Sequence, residues 1–271
     1  MNRSFDPVPA ARALHQARQA RAVVRLPDAI VPQDEAEGVA VQYALAQHVG
    51  AAQPPNLRPP GFKPPGFKIG ATAARMQQYL GLSGPAGGFM EAGGLHASGA
   101  HLRFADYVRP GLECELAIRL KHDLPPGPCT QDQAMAAVGE LMAGIELVDN
   151  RYGAVEALHM PTMLADQVFH AAAILGAPAS AGWRNWDLTT ITGRILVDGV
   201  ERDKGVGGDL LGHPVRGLAW LASSALAAAF GGLKAGQVIM LGSVTPPIWL
   251  DGPGAARVEF AGLAAVEFSL V

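Results

Sequence analysis

The chain has 271 residues, 49% of them hydrophobic, with 33 glycines, 21 prolines and a formal charge of −3 at pH 7. That length can bury a sizeable core, as one large domain or as a main domain with a smaller one. The near-neutral charge gives no reason to expect nucleic acid or an anionic membrane as partner. Two cysteines, Cys114 and Cys129, make no disulfide framework, so a reducing cytoplasm is the expected setting.

The first residues lack the uninterrupted apolar segment of a signal peptide. Arg3, Arg12, Arg18 and Arg21 with Ala10, Leu14 and Ala20 read instead as an amphipathic helix, Ala11–Val24. A second helix is expected over Gln33–Val49, with Asp34 and Glu35 in its first turn. Prolines crowd Pro54–Pro65, which blocks helix and central strand alike and marks a linker or surface loop. The stretch runs through a tandem repeat, Pro59-Pro60-Gly61-Phe62-Lys63 followed by Pro64-Pro65-Gly66-Phe67-Lys68. The expected division is therefore a helical N-terminal region with linker, 1–65, and a second domain, 66–271.

Beyond the linker a short helix is expected at Ala73–Leu80, a strand at Leu112–Leu120, a helix at Gln131–Met142 and a short strand at Ile145–Val148. Asp198-Gly199 suits the tight turn of a hairpin that begins near Gly193. The uncharged run Gly217–Leu233 falls short of the ~20 apolar residues that span a bilayer. It reads as part of a buried helix, Pro214–Phe230, stopped by Gly231-Gly232. Strands Val238–Leu241, Ala256–Phe260 and Ala264–Leu270 close the chain. Hairpin-type connections predict an α+β protein with a mixed, mostly antiparallel sheet and not a doubly wound parallel one.

Chemistry enters at Glu113-Cys114-Glu115. On a strand, side chains at i and i+2 share a face, so the two glutamates stand side by side and repel unless a cation or proton lies between them. Cys114 then points into the core. With Glu146, from Gly144-Ile145-Glu146-Leu147-Val148-Asp149, they make an all-oxygen half-shell suited to Mg²⁺ or Mn²⁺. Taken alone, the bare Glu-x-Glu is more simply a solvated strand face that happens to carry two glutamates.

Several segments carry a resemblance when taken in order. They are Gly66-Phe67-Lys68-Ile69-Gly70-Ala71-Thr72, Met76-Gln77-Gln78-Tyr79-Leu80-Gly81, Glu113-Cys114-Glu115-Leu116-Ala117, Glu146-Leu147-Val148-Asp149-Asn150-Arg151, Ala165-Asp166-Gln167, Leu211-Gly212-His213-Pro214, Leu233-Lys234-Ala235-Gly236 and Leu241-Gly242-Ser243. In this order the chain resembles the 2-keto-4-pentenoate hydratase and 4-oxalocrotonate decarboxylase branch of the fumarylacetoacetate hydrolase superfamily, from about Gly66 to the C-terminus. The resemblance implies a β-rich core of that fold, with Glu113, Glu115 and Glu146 as ligands of Mg²⁺ or Mn²⁺. It also implies a small-molecule substrate with a 2-hydroxy-dienoate or 2-oxo-enoate head, as in meta-cleavage breakdown of aromatic compounds. A cytoplasmic homo-oligomer is implied too, with room for a complex with another pathway enzyme.

Within that resemblance Lys68 is the expected proton carrier, against a plain surface lysine after a Pro-rich loop. Asp149 and Asp166 are candidate catalytic residues that orient Lys68, Arg151 or a water, or else order their loops. Arg151 is a candidate grip on the substrate carboxylate, or a salt-bridge partner of Asp149 or Asp166. Ser243 and Glu91 complete the expected substrate-binding set. His213 is expected to begin the 214–230 helix and to take no part in chemistry. Glu91 is displaced by one from the acidic position that family members often carry. Val244-Thr245-Pro246-Pro247 also lacks their basic residue before the proline. The expected reaction is hydration of a 2-hydroxy-alka-2,4-dienoate. The alternatives are decarboxylation of a 2-oxo-3-enedioate or a non-catalytic, metal- and keto-acid-binding partner subunit.

Overall fold

A computed structural model of the chain describes residues 4–52, 63–80, 82–153 and 159–271. The first copy of the repeat, Lys63 apart, and most of the Pro-rich linker lie outside the described residues. The N-terminal part holds two helices, α1 (Val8–Ala20) and α2 (Glu35–Ala52). α1 begins earlier than its apolar spacing predicts, because proline is tolerated in a first turn where amides lack helical partners. It ends early, at Arg21, which turns left-handed with φ +52° and closes the last turn on Arg18 O at 3.1 Å. Asp34 Oδ1 accepts the Glu37 N–H at 2.8 Å and Glu37 Oε2 accepts the Gln33 N–H at 2.8 Å, so α2 starts on reciprocal caps. Four further short helices follow: α3 (Ala74–Leu80), α4 (Gln131–Ala137), α5 (Met160–Ala165) and α6 (Pro214–Ser223), with α7 (Ala225–Ala229) directly after α6.

The strands are β1 (Gly66–Gly70), β2 (Ala86–Met90), β3 (Leu95–Ala97), β4 (Ala100–Leu102), β5 (Pro110–Leu120), β6 (Val138–Asp149), β7 (His170–Leu175), β8 (Thr192–Val197), β9 (Val200–Val206), β10 (Val238–Ser243), β11 (Ile248–Trp249), β12 (Gly254–Phe260) and β13 (Val266–Leu270). The larger sheet runs β2-β1-β10-β5-β6-β7-β3 with β11 on β5, and the smaller runs β4-β13-β12-β8-β9. The pairs β1–β10, β3–β7 and β4–β13 are parallel and the remaining pairs are antiparallel. This is the α+β, mixed and mostly antiparallel architecture expected from the sequence.

Three further elements differ from expectation. The helix over Gln131–Met142 stops at Ala137, and the chain continues as a twelve-residue strand, not the short Ile145–Val148. β6 is buried along nearly its whole length, so it reads as a continuous apolar run with no strand alternation to separate it from a helix. Pairing with β5 from Leu120↔Val138 to Pro110↔Asp149 decides the conformation. The expected helix Pro214–Phe230 is broken at Ser224, whose hydroxyl caps α7 by accepting the Ala227 N–H at 3.2 Å.

The second copy of the repeat enters the larger sheet as β1. A Cβ at Gly66 would lie 2.0 Å from the Val238 carbonyl oxygen, so only glycine lets β1 approach β10 there. Register then puts Lys68 opposite Met240, Met240 opposite Ala117 and Ala117 opposite Met142. Lys68, Glu113, Glu115 and Glu146 therefore share one face of the larger sheet, by strand alternation. Part of that face is packed by Met90, Ala117, Met142, Ala173, Val238 and Met240. The ionisable residues lie beside this plug.

Candidate metal centre

β5 and β6 bring the three glutamates together: Glu113 pairs with Glu146 in register, and Glu115 follows one pleat further along β5. One oxygen from each lies within 4.8 Å of the others. Glu115 and Glu146 are 0% exposed. A β-bulge where β10 leaves β5 turns the Gly242 N–H toward Glu115 Oε2 at 3.0 Å. Gly242 has φ +104°, and a Cβ there would sit 1.9 Å from Thr72 Oγ1, so both conformation and space demand glycine. Glu146 Oε1 takes two donors, Lys68 Nζ at 3.1 Å and His170 Nδ1 at 2.9 Å.

The remaining oxygens, Glu115 Oε1 and Glu146 Oε2, are buried without a protein partner. Buried polar atoms are rarely left so, and two orphaned carboxylate oxygens beside a third carboxylate fit a hard divalent cation. The electrostatics agree. Burial first, then the Glu146 charge, pushes Glu113 up to about 8, and burial with the same neighbours raises Glu115 well above the carboxylate range. Burial opposes ionisation of Glu146 as well, but Lys68 and the His170 hydrogen bond hold it down at about 2. The cluster is short of positive charge.

Lys68 is 1% exposed. Burial lowers its pKa, yet Glu146, Glu113 and Glu115 outweigh burial and leave it raised. Lys68 and Glu113 line a cavity whose other polar wall is Thr72 and Ser243, and whose apolar wall includes Met76, Leu80, Val148, Val168, Phe169 and Trp249. Thr72 Oγ1 is buried without a hydrogen-bond partner. Ser243 Oγ bridges the bulge instead, accepting the Cys114 N–H at 3.1 Å and the Thr245 N–H at 3.2 Å.

Asp149, Arg151, Asp166 and Glu91 gather in a second cluster. Asp166 is fully buried between two arginines: Arg151 donates to Oδ2 from Nε at 3.1 Å and from Nη2 at 2.8 Å, and Arg18 Nε donates to Oδ1 at 2.9 Å. Burial raises the Asp166 pKa, but Arg151 and Arg18 override it and hold the carboxyl below its usual value. Arg151 Nη1 reaches Asp149 Oδ2 at 3.3 Å, while Asp149 Oδ1 accepts the Val108 and Arg109 amides at 2.9 and 2.8 Å. Arg18 Nη1 also meets Glu91 Oε1 at 3.1 Å. Arg18, Glu91, Asp149 and Arg151 line a second hollow together with His170, and none of them lines the Lys68 cavity.

The two clusters meet at Gln167-Val168-Phe169. All three residues are left-handed, with φ +55°, +51° and +66°. Each such L-residue costs roughly 1–2 kcal/mol, and the β-branched Val168 is the least suited to it. Gln167 Nε2 donates to Phe89 O at 2.6 Å, and a Cβ at Gly88 would come within 2.6 Å of the Gln167 carbonyl oxygen, so β2 packs tightly on the turn. Sequence reading passes over His170, Arg18, Thr72 and Gln167. His170 offers one signal, a lone imidazole in the apolar run 168–175. Arg18 offers none, since a basic residue on a surface helix is ordinary.

Residues 38–271 match the family described as "Fumarylacetoacetate (FAA) hydrolase C-terminal". The 2-keto-4-pentenoate hydratase of Burkholderia vietnamiensis is 29% identical over 200 residues, 74% of this chain and 75% of that protein. The 2-hydroxyhexa-2,4-dienoate hydratase of Comamonas testosteroni is 30% identical over 215 residues, 74% and 77% of the two chains. Among solved structures, the 4-oxalocrotonate decarboxylase of Pseudomonas putida G7, complexed with magnesium and adipate, superposes with a TM-score of 0.88 over 100% of both chains at 22% identity. That likeness establishes the fold.

Proposed function

The chain belongs to the fumarylacetoacetate hydrolase family, and from that premise we propose that it is a divalent-metal-dependent hydratase that converts a 2-hydroxy-alka-2,4-dienoate to a 4-hydroxy-2-oxo acid. One observation carries the reading: a buried lysine held against three convergent carboxylates at the wall of an otherwise largely apolar cavity. The relatives named as hydratases supply the reaction class.

Glu113, Glu115 and Glu146 are the residues that would hold Mg²⁺ or Mn²⁺. When bound, the cation supplies Lewis acidity toward the carboxylate and C2 oxygen of the substrate head. Lys68 Nζ is assigned the proton transfer that turns the dienol into its keto form. Neutralising the glutamates removes the attraction that raises its pKa and leaves burial to lower it toward the working range. Thr72 Oγ1, the free hydroxyl of the cavity, is assigned a hydrogen bond to the substrate, with Ser243 beside it. Apolar side chains from α3, β11 and the left-handed turn enclose the tail and exclude bulk water. Asp149, Asp166 and Arg151 are assigned a positional role behind this wall, since every one of their charged groups is already bonded within the second cluster. A cytoplasmic homo-oligomer is the form proposed for the enzyme, from the resemblance alone.

Hydration is preferred to decarboxylation of an enedioate because, among the described residues lining the cavity, Lys68 is the one cation, which leaves no partner for a second carboxylate. Glu115→Gln tests the assignment. Metal-dependent turnover and Mg²⁺ binding should both vanish while circular dichroism stays unchanged. Retained turnover would remove the glutamates from the site, and CO₂ release from 2-oxohex-3-enedioate faster than hydration of the dienoate would establish the decarboxylase in its place.

A further inference from the structure

We infer that Arg18, on the first helix, is a positioning residue that holds the substrate-facing wall of the cavity in its left-handed form. The inference rests on the reading of the Lys68 cavity as the substrate chamber. Val168 and Phe169 form part of that wall, and their backbone occupies a region that neither side chain favours. Such a conformation persists only where surrounding contacts over-determine it. Behind the turn, His170 is bonded to Glu146 at 2.9 Å, and Gln167 is clamped to β2 through Phe89 O at 2.6 Å. In front of it lies Asp166, whose two oxygens are each taken by one arginine.

Arg151 is a near neighbour in sequence and approaches Asp166 from one side. Arg18 comes from 148 residues away and supplies the other side. Its fork also ties Glu91, the residue directly after β2, so one guanidinium fixes both strips of backbone that pack across the turn, Asp166 and the end of β2. Arg18 is itself seated by α1, whose Ala10, Ala11 and Leu14 are buried, and the Val24 N–H, just beyond α1, donates to Arg151 O at 2.8 Å. α1 precedes the family-matched stretch, which begins at residue 38. The helix nonetheless reaches into the site's support and is not a separate appendage. The planar fork matters because Nε and Nη2 both grip Asp166 Oδ1 while Nη1 meets Glu91, a directional set that a point-like ammonium does not reproduce.

The test compares the full-length protein with Arg18→Ala and Arg18→Lys by amide hydrogen exchange, and by calorimetric binding of Mg²⁺ and of 2-oxopentanoate, a saturated analogue that does not turn over. In Arg18→Ala, exchange over Gln167–His170 should quicken by about tenfold or more while β5 and β6 keep their protection. Binding of 2-oxopentanoate should weaken by about tenfold or more, with Mg²⁺ affinity within about twofold of wild type. For dienoate turnover, KM should rise more than kcat falls. Added guanidinium ion should restore part of the loss in Arg18→Ala, and Arg18→Lys should recover less than half of it. Should Arg18→Ala fail to fold, Arg18→Lys carries the same comparison. Unchanged exchange and unchanged analogue binding would overturn the inference. So would a loss spread evenly over the sheet and over Mg²⁺ binding, which would mark Arg18 as a general stabiliser. If wild type neither binds 2-oxopentanoate nor turns over the dienoate, the reading of the cavity fails and the inference falls with it. Normal wild-type binding with an indifferent Arg18→Ala removes the inference alone.

Discussion

Glu146 Oε1 lies between a lysine and a histidine, and those two contacts set its character apart from the other two glutamates. Lys68 Nζ and His170 Nδ1 keep Glu146 ionised, while Glu113 and Glu115 are short of counter-charge. Replacing Lys68 by Met removes the proposed proton carrier and leaves the carboxylates in place. We expect kcat to fall by about 10²–10⁴ with a smaller change in KM, as for loss of a general acid–base group, and steady-state kinetics with saturating Mg²⁺ measures it. A loss confined to KM would make Lys68 a binding residue. Asp166 gives the pH dependence. Its folded pKa lies below the unfolded value, so its contribution to stability is complete above about pH 4 and is lost as pH falls through the folded value. Removing Arg18 raises that folded pKa. Acid unfolding of Arg18→Ala, followed by circular dichroism, should therefore begin at higher pH than in wild type, and coincident curves would contradict the assignment. Glu113 and Glu115 were legible as neighbours because strand alternation puts i and i+2 on one face, and Glu146 joined them through the order of motifs. His170 and Arg18 were not, because their partners, Glu146 and Asp166, lie 24 and 148 residues away and no local pattern records a pairing at that distance.

β5 and β6 carry the centre, and their eleven matched pairs fix which side chains meet. The strand at 112–120 was readable from its alternation, and the hairpin at Asp198-Gly199 from its turn residues, which sit at φ +52° and +76°. Of β6 only Ile145–Val148 was, since a strand buried on both faces shows no alternation and Gln131–Ala137 before it is a true helix. β1 was hidden by its two glycines and by the prolines directly before it. Gly66→Ala should show why a glycine stands there: the added methyl would meet the Val238 carbonyl, and the β1–β10 pairing that positions Lys68 would shift. A loss of about 3 kcal/mol in urea unfolding is expected, and a neutral substitution would mean that β1 can move without harm. The break between α6 and α7 rests on Ser224, whose hydroxyl caps α7 and donates to Leu221 O at 2.6 Å. Ser224→Ala should cost about 1 kcal/mol, read in the same unfolding experiment. An unchanged midpoint would show that packing alone breaks the helix.

Across the whole molecule, the larger sheet carries a cluster of three carboxylates against one lysine, and the first helix braces the neighbouring cluster through Asp166 and Glu91. A cation that binds only the folded state stabilises it by mass action. Mg²⁺ at about a hundred times its Kd should add about 2.7 kcal/mol to stability and raise Tm by about 5 °C for a chain of this size, with EDTA reversing the change. Among the described residues no helix is long and apolar enough to cross a membrane. The order of motifs along the chain made the family legible from sequence. The pairing of the cavity's neighbouring turn with the N-terminal helix was not, because it exists only once the chain has folded back on itself. The most direct test of the account is the ultraviolet absorbance of 2-hydroxypenta-2,4-dienoate on addition of the purified protein, with Mg²⁺ and again with EDTA. The account predicts rapid loss of the dienol band with Mg²⁺, a 4-hydroxy-2-oxo acid as product, and a return to the spontaneous rate with EDTA. Loss of the band at the spontaneous rate under both conditions would contradict it.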